Sequence, residues 1–143
     1  MTVLLTGAAG FIGMHVSLAL LARGETVVGI DNLNDYYDVN LKEARLARLT
    51  AHENFSLVRG DIADLDTVMA ASKGVDRIIH LAAQAGVRYS MENPGAYIQA
   101  NIVGHMNMLE AARALGDGLR HMVYASSSSV YGGNTKLPFS VED

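Results

Sequence analysis

Short apolar runs alternate along this chain with segments that have the length and periodicity of helices. The runs that predict strands are TVLLT (Thr2–Thr6), TVVGID (Thr26–Asp31), FSLVRGD, VDRIIHLAA and RHMVYAS. The segments that predict helices are FIGMHVSLALLARG (Phe11–Gly24), DVNLKEARLARL (Asp38–Leu49), DLDTVMAASKG and NPGAYIQANIVGHMNMLEAARALG. Five strands alternating with four helices predict right-handed crossovers and a parallel sheet covered on both faces. We therefore predict an α/β fold with a doubly wound parallel sheet in the strand order 3-2-1-4-5.

The helical segments also carry signals for their ends and faces. Asp64 predicts the N-cap of the third helix, and Pro94 and Gly116 predict the start and end of the fourth. The second helix is amphipathic, so we expect its apolar side chains against the sheet and its charged ones in water. The apolar set is Leu41, Ala44, Leu46 and Leu49, and the charged set is Lys42, Glu43, Arg45 and Arg48.

The composition limits the classes of protein to which the chain can belong. Its 143 residues have the length of one domain, and 50% are hydrophobic, which is typical of a globular protein. A net charge of −4 without a basic stripe gives no reason to expect nucleic acid as a partner. No run is long enough to span a membrane, and no signal peptide is evident. The absence of cysteine excludes disulfides and thiolate ligands. We expect a cytoplasmic location.

A glycine-rich turn, TGAAGFIG (Thr6–Gly13), joins the first strand to the first helix. Gly7 permits the tight turn, Gly10 lets backbone N–H groups approach a pyrophosphate, and Gly13 lets the helix pack close to the sheet. The phosphates would meet the positive end of the helix. Asp31, at the end of the second strand, can bind ribose hydroxyls and would repel a 2′-phosphate. The pattern predicts a Rossmann-like fold that binds NAD in preference to NADP.

Two other strand ends fall on the same edge of the predicted sheet. Asp61 could accept a hydrogen bond from an adenine amino group, with Ile62 against the ring, or the pair could belong to a helix-capping loop. Small side chains at Ala82 and Ala83 would let the cofactor lie on the backbone. We interpret His80 as a core histidine with satisfied hydrogen bonds, and no histidine shows metal-ligand spacing.

Four segments resemble one superfamily: TGAAGFIG, DNLNDYYDVNLKEARL, HLAAQAGVRYS and YASSSSVYGGNTKLPFSVED. The chain resembles the extended short-chain dehydrogenase/reductases, also described as the NAD-dependent epimerase/dehydratase family. Within them it is most similar to nucleotide-sugar epimerases of the UDP-glucuronate 4-epimerase type. The resemblance implies conversion of UDP-glucuronate to UDP-galacturonate by transient oxidation at C4 and return of the hydride.

The resemblance also implies roles for individual residues. The implied NAD-binding residues are Gly7, Gly10, Phe11, Ile12, Gly13, Asp31, Asn32, Asp61, Ile62, Leu81, Ala82, Ala83, Gln84, Asn101 and Ala125. Ser127 corresponds to the catalytic hydroxyl that positions the sugar oxygen. Arg88 and Ser128 are implied to face the nucleotide sugar.

One part of the family pattern is absent. Catalysis in this family needs a tyrosine followed four positions later by a lysine, and none of the six tyrosines here has that neighbour. We therefore expect an N-terminal fragment that comprises an incomplete NAD-binding domain over residues 1–143 and is inactive alone. The alternatives are a non-catalytic NAD-binding module, or part of a nucleotide-sugar dehydratase or decarboxylase. As partners we expect a UDP-sugar, a homodimer in the native protein, and non-native pairing along the fifth strand.

Overall fold

The computed structural model describes residues 1–143, and one parallel sheet forms its centre. The strands are β1 (Thr2–Thr6), β2 (Thr26–Asp31), β3 (Phe55–Arg59), β4 (Arg77–His80) and β5 (His121–Tyr124). Their order is β3-β2-β1-β4-β5, and every neighbouring pair is parallel. The predicted α/β class, the doubly wound Rossmann-like sheet and its strand order are confirmed.

Helices connect the strands. They are α1 (Phe11–Ala22), α2 (Val39–Thr50), α3 (Leu65–Ala71), α4 (Val87–Glu92), α5 (Pro94–Tyr97) and α6 (His105–Leu115), with a π-helical segment at Ile98–Gly104. Asp64 caps α3 as predicted, since its side chain accepts a hydrogen bond from the N–H of Asp66. None of the helices is long and apolar enough to cross a membrane.

A separate hydrophobic cluster fills each face of the sheet. On one face Leu4, Ile30 and Ile78 pack against Val68 of α3 and Met108 of α6. On the other face, α1 and α2 cover β1, β2 and β3 through a second set of buried side chains: Leu5, Val27, Phe55, Met14, Leu46 and Leu49. Neighbouring residues of β1 therefore serve opposite cores, as the alternation of side chains along a strand requires. This two-faced burial explains why the central strand β1 is apolar at consecutive positions.

The predicted face of α2 is wrong at three positions. Leu41 and Ala44 are exposed, whereas Lys42 is only 4% exposed. The ammonium group of Lys42 reaches back to the loop after β2, where it donates to the Asn34 carbonyl (2.6 Å) and to Asn34 Oδ1 (2.7 Å). Because these bonds satisfy the charged group, the aliphatic stem can be buried where the periodicity predicts solvent.

The region between β4 and β5 also differs from the prediction. The sequence predicted one long helix starting near Pro94, and the structure instead has α5, the π-helical segment and α6 in succession. Pro94 does lie in the first turn and Gly116 does end α6, with φ of +51°. The short helix α4 was not predicted, because its six residues carry no cap signal that propensity rules detect.

Candidate functional site

A cleft of about 230 Å³ opens at the carboxyl ends of β1, β2, β3 and β4. In open α/β sheets this edge is where ligands bind, at the point where the strand order reverses. Ten of the residues that the sequence predicted to bind the cofactor line it: Gly7, Gly10, Asp31, Asn32, Asp61, Ile62, Leu81, Ala82, Ala83 and Gln84. The cleft thus collects residues from four separate strand ends.

Gly7 and Gly10 of the glycine-rich turn form the floor of this cleft, and the glycine positions of the turn have little room for a side chain. Gly7 adopts φ of +76°, a left-handed conformation that favours glycine. A Cβ at Gly13 would lie 2.0 Å from the Gly7 carbonyl oxygen, so α1 packs directly on the turn. No side chain caps α1 at Gly10. The first N–H groups of the helix are therefore left for an anion, which the positive end of the helix dipole also attracts.

Asp31 holds the turn and the next loop at once. Its Oδ2 accepts a hydrogen bond from the N–H of Ala9 (2.9 Å), and its Oδ1 accepts one from the N–H of Leu33 (2.9 Å). Leu33 has φ of +50°, which is a strained conformation for a leucine, and the bond to Asp31 stabilises it. A carboxylate has about four acceptor positions, so Asp31 can still accept bonds from ribose hydroxyls.

The loops after β2 and β3 are joined beside Asp31. Asn32 Nδ2 donates to Asp61 Oδ2 (2.9 Å), and Asp61 Oδ1 accepts from the N–H of Ala63 (2.8 Å). Ile62 lies under the cleft, where it packs so closely against Gly104 that a Cβ there would lie 2.5 Å from Ile62 Cδ1. Asp61 therefore stabilises the loop after β3, which was the alternative role considered for it from the sequence. Ile62 forms an apolar part of the cleft wall.

The sequence missed several residues that line the cleft. These are Ile30, Asn34, Tyr36, Tyr37, Lys42, Gly60, Ala85 and Ala100. Lys42 is the one cation among the lining residues, and its ammonium lies 4.5 Å from the centre of the Tyr37 ring. Burial lowers the pKa of Lys42, while the nearby Asp31 carboxylate acts in the opposite direction. The sequence signal was the acidic DNLNDYYD loop, which offers a nearby lysine both charge and oxygen acceptors.

The buried end of β4 is held by a threonine and a histidine. Thr6 Oγ1 accepts from the N–H groups of Leu81 (3.1 Å) and Ala82 (3.0 Å). It lies 2.7 Å from His80 Nδ1, and because Oγ1 already accepts two bonds, the Thr6 hydroxyl donates a hydrogen bond to that nitrogen. His80 is 5% exposed, and burial together with the neighbouring His105 lowers its pKa to about 4. The prediction of a core histidine with satisfied hydrogen bonds is confirmed.

Asn101 fixes the loop after β4 from the middle of the π-helical segment. Its Oδ1 accepts from the Gln84 N–H (2.8 Å), and its Nδ2 donates to the Gln84 carbonyl (2.9 Å). π-helical turns are rare and frequently lie at functional sites. In this segment, the side chain of Asn101 pairs with both the N–H and the carbonyl of Gln84, which lines the cleft.

The predicted catalytic and substrate residues lie outside the cleft. Ser127 follows β5, and its Oγ accepts from the N–H of Ser129 (3.2 Å) at the start of a short 3₁₀ turn, Ser128–Tyr131. Ser127, Ser128 and Arg88 are exposed, and the Arg88 guanidinium makes no hydrogen bond or ion pair. The remaining predicted cofactor residues that do not line the cleft are Phe11, Ile12, Gly13, Asn101 and Ala125.

Comparison with known proteins identifies the family of this chain. The profile of the GDP-mannose 4,6 dehydratase family matches residues 4–143. The chain belongs to this family. The resemblance to NAD-dependent epimerase/dehydratases is thereby confirmed, although the family's name refers to a dehydratase and its members include epimerases.

Two curated members of this family illustrate the relationship. The chain is 54% identical over 144 residues to UDP-glucuronate 4-epimerase 4 of Arabidopsis thaliana, and the alignment covers 99% of this chain and 32% of that protein. It is 49% identical over 145 residues to the probable UDP-glucuronate 4-epimerase of Rhizobium meliloti, and that alignment covers 100% of this chain and 42% of that protein. The chain thus spans about a third to two fifths of the length of these relatives.

Solved structures of epimerases share the fold. The UDP-glucuronic acid 4-epimerase of Bacillus cereus in complex with UDP-glucuronic acid and NAD has a TM-score of 0.85 and 36% identity. That comparison covers 95% of this chain and 43% of the other. A UDP-glucose 4-epimerase of Stenotrophomonas maltophila with bound NAD has a TM-score of 0.79 and 33% identity, over 97% of this chain and 40% of the other.

Proposed function

We propose that this chain is the NAD-binding part of a nucleotide-sugar 4-epimerase that converts UDP-glucuronate to UDP-galacturonate. The observation that carries the proposal is the cleft in which an uncapped helix start, a glycine floor and the Asp31 carboxylate meet. Relatives named UDP-glucuronate 4-epimerases, at 49 to 54% identity, support the choice of sugar.

The residues of the cleft fit NAD. The glycine floor, where a Cβ at Gly10 would lie 3.0 Å from the Gly7 carbonyl oxygen, fits the pyrophosphate, and Asp31 fits the hydroxyls of the adenosine ribose. Asp61 and Ile62 would hold the adenine, while Leu81–Gln84 would lie along the other half of the cofactor. When bound, NAD supplies reversible acceptance of a hydride from the sugar C4.

The residues after β5 would hold the substrate. Ser127 is at the carboxyl end of its strand, and its exposed hydroxyl can hydrogen-bond the sugar 4-oxygen and position it. Arg88 in α4 and Ser128 in the turn after β5 are both exposed, and a cation and a hydroxyl suit the phosphates, carboxylate and hydroxyls of a UDP-sugar. The following residue, Ser129, is a serine as well, and an acidic pair in this place would favour a dehydratase.

Several parts of the proposal concern the whole protein. We propose that the domain over residues 1–143 is incomplete for catalysis, since no tyrosine has a lysine four positions later. A homodimer, a cytoplasmic location and the pairing of chains along β5 stay predictions. A non-catalytic NAD-binding module is the alternative, and it would share the cleft but need neither Ser127 nor Arg88.

Calorimetric titration of the chain with NAD tests the proposal. We expect NAD to bind, and NADP to bind more weakly because Asp31 repels a 2′-phosphate. Gly10→Ala should weaken NAD at least roughly tenfold, since a methyl group there blocks hydrogen bonds to a charged phosphate. Gly118→Ala is the matched control, because a Cβ at Gly118 meets nothing within 4 Å. Equal affinity in the wild-type chain and Gly10→Ala, or no binding at all, would contradict the proposal.

A further inference from the structure

Three tyrosines connect two loops that belong to strands which are not neighbours. Tyr36 is in the loop after β2, while Tyr89 and Tyr97 follow β4. The rings of Tyr36 and Tyr89 lie 4.8 Å apart, and those of Tyr89 and Tyr97 lie 6.3 Å apart. We name these three side chains, together with Gly86, the tyrosine clasp.

Hydrogen bonds and close packing hold the clasp together. The Tyr97 hydroxyl donates to the carbonyl oxygens of Ala85 (2.9 Å) and Gly86, and Tyr89 Oη accepts from Asn93 Nδ2 (3.2 Å). The Tyr36 hydroxyl is so close to Gly86 that a Cβ there would lie 2.4 Å from it. Gly86 has φ of +101°, so only glycine readily permits this approach.

The position of the clasp follows from the strand order. In the sheet β1 lies between β2 and β4, so the two loops that the clasp joins are about 10 Å apart at their roots. The glycine-rich turn leaves β1 in the gap between them. The strand order puts the segment after β2, with Tyr36, and the segment after β4, with Ala85, on opposite sides of this turn, and both residues line the cleft. The clasp therefore crosses the cleft above the glycine floor.

We infer that the tyrosine clasp is a gate that retains the dinucleotide, with Tyr36 as the residue that closes it. The inference rests on the proposed function, in which the hydride returns to the same sugar and the cofactor has to stay bound throughout. A dinucleotide whose pyrophosphate lies on the glycine floor would pass beneath the clasp, with its two nucleosides on either side. Entry and exit then require Tyr36 to leave Gly86 and Tyr89.

The test measures both rate constants for NADH with the 143-residue chain, by stopped-flow fluorescence of the dihydronicotinamide and displacement with excess NAD. The chain has no tryptophan to interfere. Tyr36→Ala should raise the dissociation rate about tenfold, the upper end of what an aromatic pair contributes. It should raise the association rate as well, because an open gate speeds passage in both directions. Tyr131→Ala is the control, since Tyr131 stacks on Phe139 and does not line the cleft.

A second pair of variants isolates the contact at Gly86. Gly86→Ala places a methyl group against the Tyr36 hydroxyl, but the nearest ring carbon is 3.6 Å away. Gly86→Ala should therefore displace Tyr36 and raise both rate constants. Adding Tyr36→Phe removes the hydroxyl that the methyl group would meet, so both rate constants should return part of the way toward the wild type, whatever backbone strain the alanine causes. Circular dichroism of each variant shows that it is folded.

The outcomes separate the gate from the proposed function. If the wild-type chain binds NADH and Tyr36→Ala leaves both rates unchanged, the gate is wrong and the proposed function stands. A faster dissociation with unchanged or slower association overturns the gate too, because it identifies Tyr36 as an ordinary contact. If the wild-type chain binds no NADH, the proposed function fails and the gate with it.

Discussion

At the scale of single residues, the polar groups of the cleft are as much structural as they are available to a ligand. Asp31 bonds two backbone N–H groups, and Asn101 pairs with both backbone groups of Gln84. Burial and the neighbouring His105 keep His80 neutral, and its Nδ1 accepts a hydrogen bond from the Thr6 hydroxyl. Each of these groups contributes to the free energy of unfolding as well as to the shape of the site.

The pKa of His80 makes stability depend on pH. Its pKa is about 4 in the folded chain and near 6.5 when unfolded, so between these values the unfolded state binds more protons. The free energy of unfolding should therefore fall as the pH is lowered from about 6.5 to about 4, by roughly 3 kcal/mol in total. Urea unfolding of wild type and His80→Asn at pH 7 and pH 4.5 measures this.

Because asparagine cannot titrate, the free energy of unfolding of His80→Asn should depend less on pH between about 4 and 6.5 than that of the wild type. His52→Asn is the matched control, because His52 is exposed, and it should keep the slope of the wild type. Parallel pH profiles for His80→Asn and wild type would show that His80 is not the responsible group.

At the scale of elements, the sequence predicted what depends on neighbouring residues along the chain. Five apolar runs bounded by turn residues were sufficient for the strands and their order, which the structure confirms. The π-helical segment could not be predicted, because its Asn101 pairs with Gln84, 17 positions away. The burial of Lys42 likewise depends on Asn34 in another element. Contacts between elements decide these features, and periodicity does not report them.

The β5 strand is an edge with apolar surface. It pairs only with β4, and Val123 and Tyr124 are 47% and 54% exposed. Since unpaired edges of this kind bind other strands, sedimentation velocity should show association of the chain that increases with concentration. Val123→Lys should weaken it, because a lysine on an edge disfavours pairing. Val141→Lys, at an exposed position outside the sheet, should leave the association unchanged. A wild-type chain that is monomeric at every concentration would refute the prediction.

At the scale of the whole molecule, binding of the cofactor and catalysis depend on different sets of residues. The four strand ends that form the cleft are all within the 143 residues, so cofactor binding is expected of this chain. The tyrosine with a lysine four positions later, which the family resemblance implies for catalysis, does not occur among them. From the sequence, residues that line the cleft could be predicted by their place at strand ends, whereas the positions of Tyr36 and Lys42 in the cleft depend on the folded loop.

The chain alone should therefore bind NAD without turning over a sugar. We expect no UDP-galacturonate by NMR after incubation with UDP-glucuronate and NAD, because no tyrosine here has the lysine four positions later that would favour its ionised form and so let it remove the 4-hydroxyl proton. A relative that contains the tyrosine and lysine serves as the positive control. Conversion by the 143-residue chain at a comparable rate would contradict the proposed division between binding and catalysis.

The two backbone bonds of Asp31 have a consequence for protein engineering. An attempt to exchange NAD for NADP would begin by replacing this carboxylate with a neutral or basic side chain. Such a replacement also releases the N–H of Ala9 and that of Leu33, which loses the bond that stabilises its φ of +50°. A library that varies position 31 alone would thus lose clones to misfolding before their selectivity is measured, and a successful design has to supply new acceptors for both N–H groups.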